Sequence, residues 1–95
     1  MDLKVVDVPE RSRYEVSADG EVVGFCAYHL IEDGVYALPH VEVDRSVEGR
    51  GVASRLMGEA LDDIRRRGLR VVPICPFVRA YIRRNPSYAD LVHEG

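Results

Sequence analysis

Apolar and polar residues alternate through the first half of the chain, which is the pattern of half-buried β-strands. Tyr14 and Val16, for example, each stand between charged or polar neighbours. Asp-Gly pairs at 19–20 and 33–34 predict tight turns, because they tolerate positive φ angles. The predicted antiparallel strands are 3–8, 13–18, 21–30 and 35–44. Pro39 has no amide hydrogen and predicts a bulge or an edge inside the fourth strand.

From Val52 onward the period changes to that of a helix with one apolar face. Arginines at 65–67 suit the negative end of a helix dipole, and Gly68 supplies the left-handed residue that often follows a helix. The helix is therefore expected over 52–67. Its apolar stripe consists of Val52, Ala53, Leu56, Met57, Ala60, Leu61 and Ile64.

A short apolar run at 69–74 predicts a strand that returns parallel to 35–44 through a right-handed crossover. Pro76 is expected to open a second helix that ends near Asn85-Pro86, followed by a packed tail at 88–92. The expected fold is α+β, with an α/β-like crossover. It comprises a mixed, mostly antiparallel sheet of about five strands, one parallel βαβ unit and two covering helices in a single domain, 1–95.

Composition limits the possible functions. The 95 residues are 46% apolar and 31% charged, as in ordinary globular proteins. No stretch is long and apolar enough for a membrane span, and the N-terminus does not resemble a signal peptide. We therefore expect a cytoplasmic protein with no membrane partner. Cys26 and Cys75 have no metal-site spacing, so free thiols and no metal are expected.

Charge is distributed unevenly along the chain. Residues 1–48 hold four basic and eleven acidic side chains, whereas residues 49–95 hold nine basic and five acidic ones. An anionic ligand would favour the second half and a cationic ligand the first, although two solvated faces are the simpler interpretation. The net charge of −3 argues against a nucleic-acid partner.

A glycine-bearing turn between the fourth strand and the long helix is the most informative segment. Gly49 and Gly51 flank Arg50, so the backbone is unobstructed where helix N–H groups converge. This arrangement favours binding of a pyrophosphate. It is neither a P-loop nor a full dinucleotide fingerprint, because the other residues of those motifs are missing.

The segment VEVDRSVEGRGVASRLMGEAL (41–61) resembles the acyl-CoA-binding segment of the GNAT N-acetyltransferase superfamily. The small positions of the family pattern match at Gly51 and Ala53, whereas Glu48 stands where Arg or Gln is usual. Arg50 or Arg55 could replace the missing cation. The tail resembles the short YjdJ-type branch, with Pro-Ile-Cys-Pro-Phe-Val at 73–78 and Asn-Pro-Ser-Tyr at 85–88.

The resemblance implies acetyl-CoA as cosubstrate and a strand splayed at Pro39 whose free backbone groups bind the pantetheine arm. Cys75 and Tyr81 are further expected contacts. Arg84, with Arg79 and Arg83, could meet CoA phosphates or form an ordinary solvated face. The full cofactor-binding set is Val41, Val43, Glu48, Gly49, Arg50, Gly51, Val52, Ala53, Cys75, Tyr81 and Arg84.

Three residues are candidates for the chemistry. His40 and Glu42 share one strand face by period-two spacing, together with Tyr36 or Leu38. His40, or Glu42 through a water, could remove a proton from an ammonium acceptor. Cys75 precedes a helix at the end of the crossover strand. A helix N-terminus activates a thiol, although most free cysteines are small buried hydrophobes. Direct acetyl transfer and an acetyl-Cys75 intermediate both remain open.

The interpretation is a minimal acetyl-CoA-dependent N-acetyltransferase whose amine acceptor, a small molecule or a protein, is unidentified. Two alternatives are a CoA-binding or regulatory module without turnover and a thiol enzyme built on Cys75 and His40. A nucleic-acid binder fits least well. The ligand separates these classes: acetyl-CoA binds to the transferase and to the regulatory module, the thiol enzyme needs no CoA, and the last class binds a polymer with strong salt dependence.

Overall fold

The computed structural model describes residues 1–94 and contains seven strands, two α-helices and three short 3-10 segments in that range. The strands are β1 (Leu3–Val8), β2 (Arg13–Ala18), β3 (Glu21–Ala27), β4 (His29–Glu32), β5 (Val35–Ala37), β6 (Val41–Val43) and β7 (Arg70–Val72). The helices are α1 (Val52–Arg66) and α2 (Pro76–Arg84). The 3-10 segments are Pro9–Arg11, Arg45–Val47 and Pro86–Leu91.

The strands form two sheets, in the orders β1-β2-β3-β6 and β4-β5-β7. All paired strands are antiparallel except β5 and β7, which are parallel and joined through α1. The expected α+β fold, mostly antiparallel with one parallel βαβ crossover, is confirmed. Seven short strands replace the expected five because two long strands are divided.

The prediction of one continuous strand over 21–30 is wrong. The chain breaks at Tyr28, whose amide makes the last bond toward β2, to the Ser12 carbonyl at 3.0 Å, because the residues from His29 onward pair with β5 instead. The Tyr28 ring stacks on Tyr36 with centroids 4.4 Å apart, and its hydroxyl donates to Asp7 at 2.6 Å. These contacts are remote in sequence, so the local pattern did not reveal the break.

The strand expected over 35–44 is also divided, at Leu38–His40, and its two parts belong to different sheets. Leu38 continues toward β7, because its amide donates to Val72 and its carbonyl accepts from Cys75, both at 3.0 Å. His40 instead turns to β3, where its carbonyl accepts from Ala27 at 2.9 Å. Pro39 therefore marks a separation of the two sheets, which is larger than a bulge.

Helix α1 covers the inner face of the four-stranded sheet, as its apolar stripe predicts. Leu56, Met57 and Leu61 are fully buried there. The C-terminal end is fixed by a polar network: Arg67 contacts Asp7 at 2.8 Å and Asp63 at 3.0 Å, and the Tyr14 hydroxyl donates to Asp63 at 2.8 Å. The network fixes the direction of α1, and hence the place of its N-terminus beside β6.

Candidate functional site

The N-terminus of α1 lies at the end of a glycine-bearing turn that follows β6. Gly49 and Gly51 have φ angles of +78° and +76°, which side chains rarely adopt. Gly51 is the N-cap residue; it has no side chain, so no side-chain cap covers the first turn. The first intrahelical bond of α1 runs from the Arg55 amide to the Gly51 carbonyl, at 3.0 Å.

The amides of Val52, Ala53 and Ser54 precede that first bond and point out of the helix end. The first turn of α1 contains no acidic residue. A Cβ placed at Gly49 or Gly51 would meet no atom within 4 Å, so the space beside these two glycines is open. Uncapped N–H groups at the positive end of a helix dipole are suited to an anion such as a pyrophosphate.

A cavity of about 260 Å³ adjoins this turn. Its walls come from β6, the turn that follows the 3-10 segment Arg45–Val47 together with Val47 itself, the start of α1 and the start of α2, so four separate segments converge on it. The lining residues are Val41, Val43, Val47, Glu48, Gly49, Val52, Ala53 and Phe77. Six of them are in the expected cofactor-binding set, Val47 lies in the loop 47–53 across which the cosubstrate is expected, and Phe77 was not expected.

The backbone of β6 is exposed toward the gap between the sheets. His40 and Asp44 exchange hydrogen bonds with Ala27 and Val23 of β3, at 2.9 and 2.7 Å. Because alternate residues of an antiparallel strand bond to the same neighbour, the N–H and C=O groups of Val41 and Val43 point away from β3. Strand β6 is also the last strand of its sheet, so these groups are available to an extended ligand.

His40 and Glu42 lie together on the opposite face of β6 from the cavity. The His40 Nε2 atom is 3.1 Å from Glu42 Oε1, and both side chains are more than half exposed. Their expected common face is confirmed. The suggestion that Leu38 shares this face is wrong, because the sheets separate at Leu38–His40 and Leu38 is fully buried.

Cys75 is buried, with 7% of its surface exposed, and is the N-cap residue of α2. It lies at the gap between the sheets through its bond to Leu38 but is not among the residues that line the cavity. Cys26 is fully buried in the core, and burial raises its pKa to about 12. Both thiols are free, as expected.

Other expected cofactor contacts lie outside the cavity. Arg50 is exposed on the turn and immediately precedes Gly51 at the helix end. Tyr81 packs toward α1, since a Cβ at Gly58 would lie 3.0 Å from its hydroxyl oxygen. Arg84 is exposed in the last turn of α2. Arg55 pairs with Glu59, so its charge is shared. Within residues 1–94, no group of three metal-ligating side chains is present.

Comparison with known proteins places this architecture in a family. Residues 13–91 match the model of the GCN5-related N-acetyl-transferase family. The chain belongs to this family. It is also 30% identical to Protein NATD1 of Gallus gallus over 66 residues, which are 70% of this chain and 60% of that protein. The match therefore spans less than two thirds of this curated relative.

Solved structures of the GCN5-related family share the fold. The NMR structure of a GCN5-like protein from Staphylococcus aureus has a TM-score of 0.74 at 16% identity, covering 98% of this chain and 90% of that chain. A GNAT family acetyltransferase from Brucella melitensis, solved in complex with acetyl-CoA, has a TM-score of 0.58 at 27% identity. That match covers 77% of this chain and 50% of the Brucella chain.

Within residues 1–94, no helix of this family member is long and apolar enough to cross a membrane.

Proposed function

We propose that the protein binds acetyl-CoA in the cavity beside β6 and transfers its acetyl group to an amine. The observation that carries the proposal is the uncapped N-terminus of α1, which forms one wall of a cavity continuous with the exposed backbone of β6. An anion at the helix end and an extended arm along a strand edge are the two features that a CoA ligand presents. Both fit the residues present.

The pyrophosphate would be held by the amides that follow Gly51, and the pantetheine arm by the backbone of Val41 and Val43. Phe77 and Val47 would contribute apolar contacts to the arm, which excludes water from it. Glu48 lines the cavity where the family usually has a cation. Arg50 is the nearest exposed cation on the turn and would offset that charge.

When bound, acetyl-CoA supplies an activated acetyl thioester, whose carbon–sulfur bond is replaced by a carbon–nitrogen bond to the acceptor. An amine acceptor is an ammonium ion near neutral pH, so one proton must leave nitrogen before attack. His40 and Glu42 are 3.1 Å apart and exposed on the face opposite the cavity. This pair would take that proton, and the second nitrogen proton would leave with the CoA thiol.

The two faces of β6 would then have separate roles. The side chains of Val41 and Val43 contact the cavity, while Glu42 between them points to the other face. The cosubstrate and the acceptor would approach from opposite faces and meet at the gap between the sheets. Direct transfer is favoured, because Cys75 is buried and lies outside the cavity lining.

Calorimetric titration of acetyl-CoA tests this proposal. Gly51→Glu should abolish binding because it places a carboxylate at the helix end. Gly34→Glu is the matched control, since Gly34 has the same φ of +76° and equally open surroundings in a turn of the other sheet. Equal loss of binding in both variants, or no binding by the wild-type protein, would contradict the proposal.

Turnover and mechanism need separate measurements. Glu42→Gln should lower kcat by about a hundredfold without changing the acetyl-CoA Kd, which is the usual size of a general-base contribution. Glu21→Gln serves as a control on an exposed carboxylate of β3. Acetyl found on Cys75 by mass spectrometry, together with an inactive Cys75→Ala variant, would instead support a two-step transfer. Binding with no transfer to any amine would indicate a CoA-binding module.

A further inference from the structure

A second cavity, of about 170 Å³, lies on the outer face of the four-stranded sheet. It is separated from the proposed cofactor cavity by β6, and we call it the outer groove. Its lining residues are Arg13, Val22, Val23, Gly24, Phe25, Glu42 and Asp44. Its volume is below the roughly 300 Å³ of drug-sized sites, so it is suited to a small ligand of about ten heavy atoms or fewer.

One end of the outer groove carries a fixed cation. The Arg13 Nε atom donates to Glu15 at 2.8 Å, and the guanidinium carbon lies 4.3 Å from the centre of the Phe25 ring. Arg11 bonds the same Glu15 oxygen at 2.9 Å. Burial disfavours the charge of Glu15, but the hydrogen bonds from Arg13 and Arg11 hold its pKa below the usual value. Two guanidiniums thus share one carboxylate, leaving one surplus positive charge.

The other end of the outer groove is acidic. Glu42 and Asp44 project from β6 on this face, and His40 beside Glu42 lies with its ring 5.8 Å from that of Phe25. Glu42 contacts His40 alone among the ion pairs of residues 1–94, and Asp44 takes part in none of them. Both carboxylates are therefore accessible to a cationic ligand group.

The spacing of these charges follows from the sheet. Strand β3 lies between β2, which carries Arg13, and β6, which carries Glu42. Adjacent strands are about 4.8 Å apart, so the two backbones are separated by about 10 Å. The Arg13 guanidinium lies over Phe25 of the middle strand, which is opposite Glu42, and Asp44 is two residues further along, about 7 Å in the strand direction. The exposed apolar side chain of Val22 borders the space between them.

We propose that the acceptor bound in the outer groove is a small ω-ammonium carboxylate, an amine joined to a carboxylate by a short apolar chain. This inference rests on the proposed function for the acceptor role but not for binding. The ammonium would lie at Glu42 and Asp44, next to the His40–Glu42 pair. The carboxylate would pair with Arg13, which is thereby a specificity-determining residue. A diamine or an internal lysine of a protein lacks the group that Arg13 recognises.

Matched probes and matched variants test this inference. The probes are ε-aminocaproate and its neutral amide, ε-aminocaproamide, which share the ammonium and differ in one charge. The variants are Arg13→Gln and Arg11→Gln, which each remove one partner of Glu15, although only Arg13 lines the outer groove. Binding is followed by amide chemical shifts with and without CoA, and acetylation by release of the CoA thiol.

Wild-type protein should bind ε-aminocaproate about threefold to fivefold more tightly than the amide, as expected for a partly exposed charge pair. Arg13→Gln should remove that preference and Arg11→Gln should keep it, with acetyl-CoA affinity unchanged in both. Equal binding of the two probes, or equal effects of the two variants, would overturn the inference while leaving acetyl-CoA binding intact. If acetyl-CoA does not bind but the Arg13-dependent preference persists, the groove is supported and the proposed function fails.

Discussion

Replacing Ser54 by Asp should stabilise the protein and weaken its binding of acetyl-CoA. Ser54 is exposed in the first turn of α1, at the third helical position after Gly51. That turn has no acidic residue and no side-chain cap, so an added carboxylate meets the positive end of the helix without competition. The same positive end is the proposed binding site of the pyrophosphate.

The two effects have different sizes. A carboxylate in the first turn stabilises a helix by about 0.3 to 1 kcal/mol, which raises the Tm of a domain of this size by roughly 2 to 6 °C. Against a ligand, two unit charges about 7 Å apart repel by about 0.6 kcal/mol in water and by about 2.4 kcal/mol at an effective dielectric constant of 20. The acetyl-CoA Kd should therefore rise by about tenfold.

Thermal unfolding and calorimetry on Ser54→Asp and Ser54→Asn measure both effects. Ser54→Asn places a side chain of the same size as Asp at this position without adding charge, so it should change the Kd by less than about twofold. The effect of Ser54→Asp on affinity should also shrink as salt is added, because exposed charges are screened. A higher Tm with an unchanged Kd would show that the anionic part of the ligand does not lie at this helix end, and would refute the reasoning.

Three further predictions concern the groups that hold the site in place. Tyr14→Phe removes the hydroxyl that donates to Asp63 at 2.8 Å and should lower the free energy of unfolding by about 1 to 2 kcal/mol in urea denaturation; no loss would mean that the network does not anchor α1. Glu15 has a lowered pKa in the folded protein, so its contribution is present above its unfolded pKa near 4.5 and is lost as pH falls through the lower folded value. The acid-induced loss of stability below about pH 5 should accordingly be shallower in Glu15→Gln than in the wild type, and an identical slope would contradict the pairing. Cys26, with its pKa raised to about 12 and no exposed surface, should resist iodoacetamide at pH 8 until the protein unfolds, as read by mass spectrometry, whereas rapid native labelling would show that the core opens.

Local patterns were sufficient where the structure depends on local chemistry. The stripe of α1 and the Asp-Gly turns needed only periodicity and backbone freedom, and the helix ends at Arg66, within one residue of the expected end. The unobstructed backbone expected at Gly49 and Gly51 also needed only the identity of these residues, and both have a positive φ. The common face of His40 and Glu42 followed from period-two spacing.

Features that depend on distant contacts could not be predicted. The break at Tyr28 results from a change of strand partner from β2 to β5, and the local sequence there is that of an uninterrupted strand. Phe77 reaches the cavity only through the tertiary packing of α2 against α1. Pro39 did signal an interruption, but the separation into two sheets is a consequence of which strand each half pairs with. Assignment to the YjdJ-type branch, and the roles of Tyr81 and Arg84, stay predictions.

The most direct test of the central claim is a titration of acetyl-CoA followed by amide chemical shifts across the whole chain. The account predicts that shifts concentrate in residues 41–53 and around Phe77, with the largest changes in the amides that follow Gly51. The amide chemical shifts of residues far from the cavity, such as those in the turn at Gly34, should not change. Saturating acetyl-CoA with no shifts, or shifts centred elsewhere on the surface, would contradict the assignment of this cavity as the acetyl-CoA site.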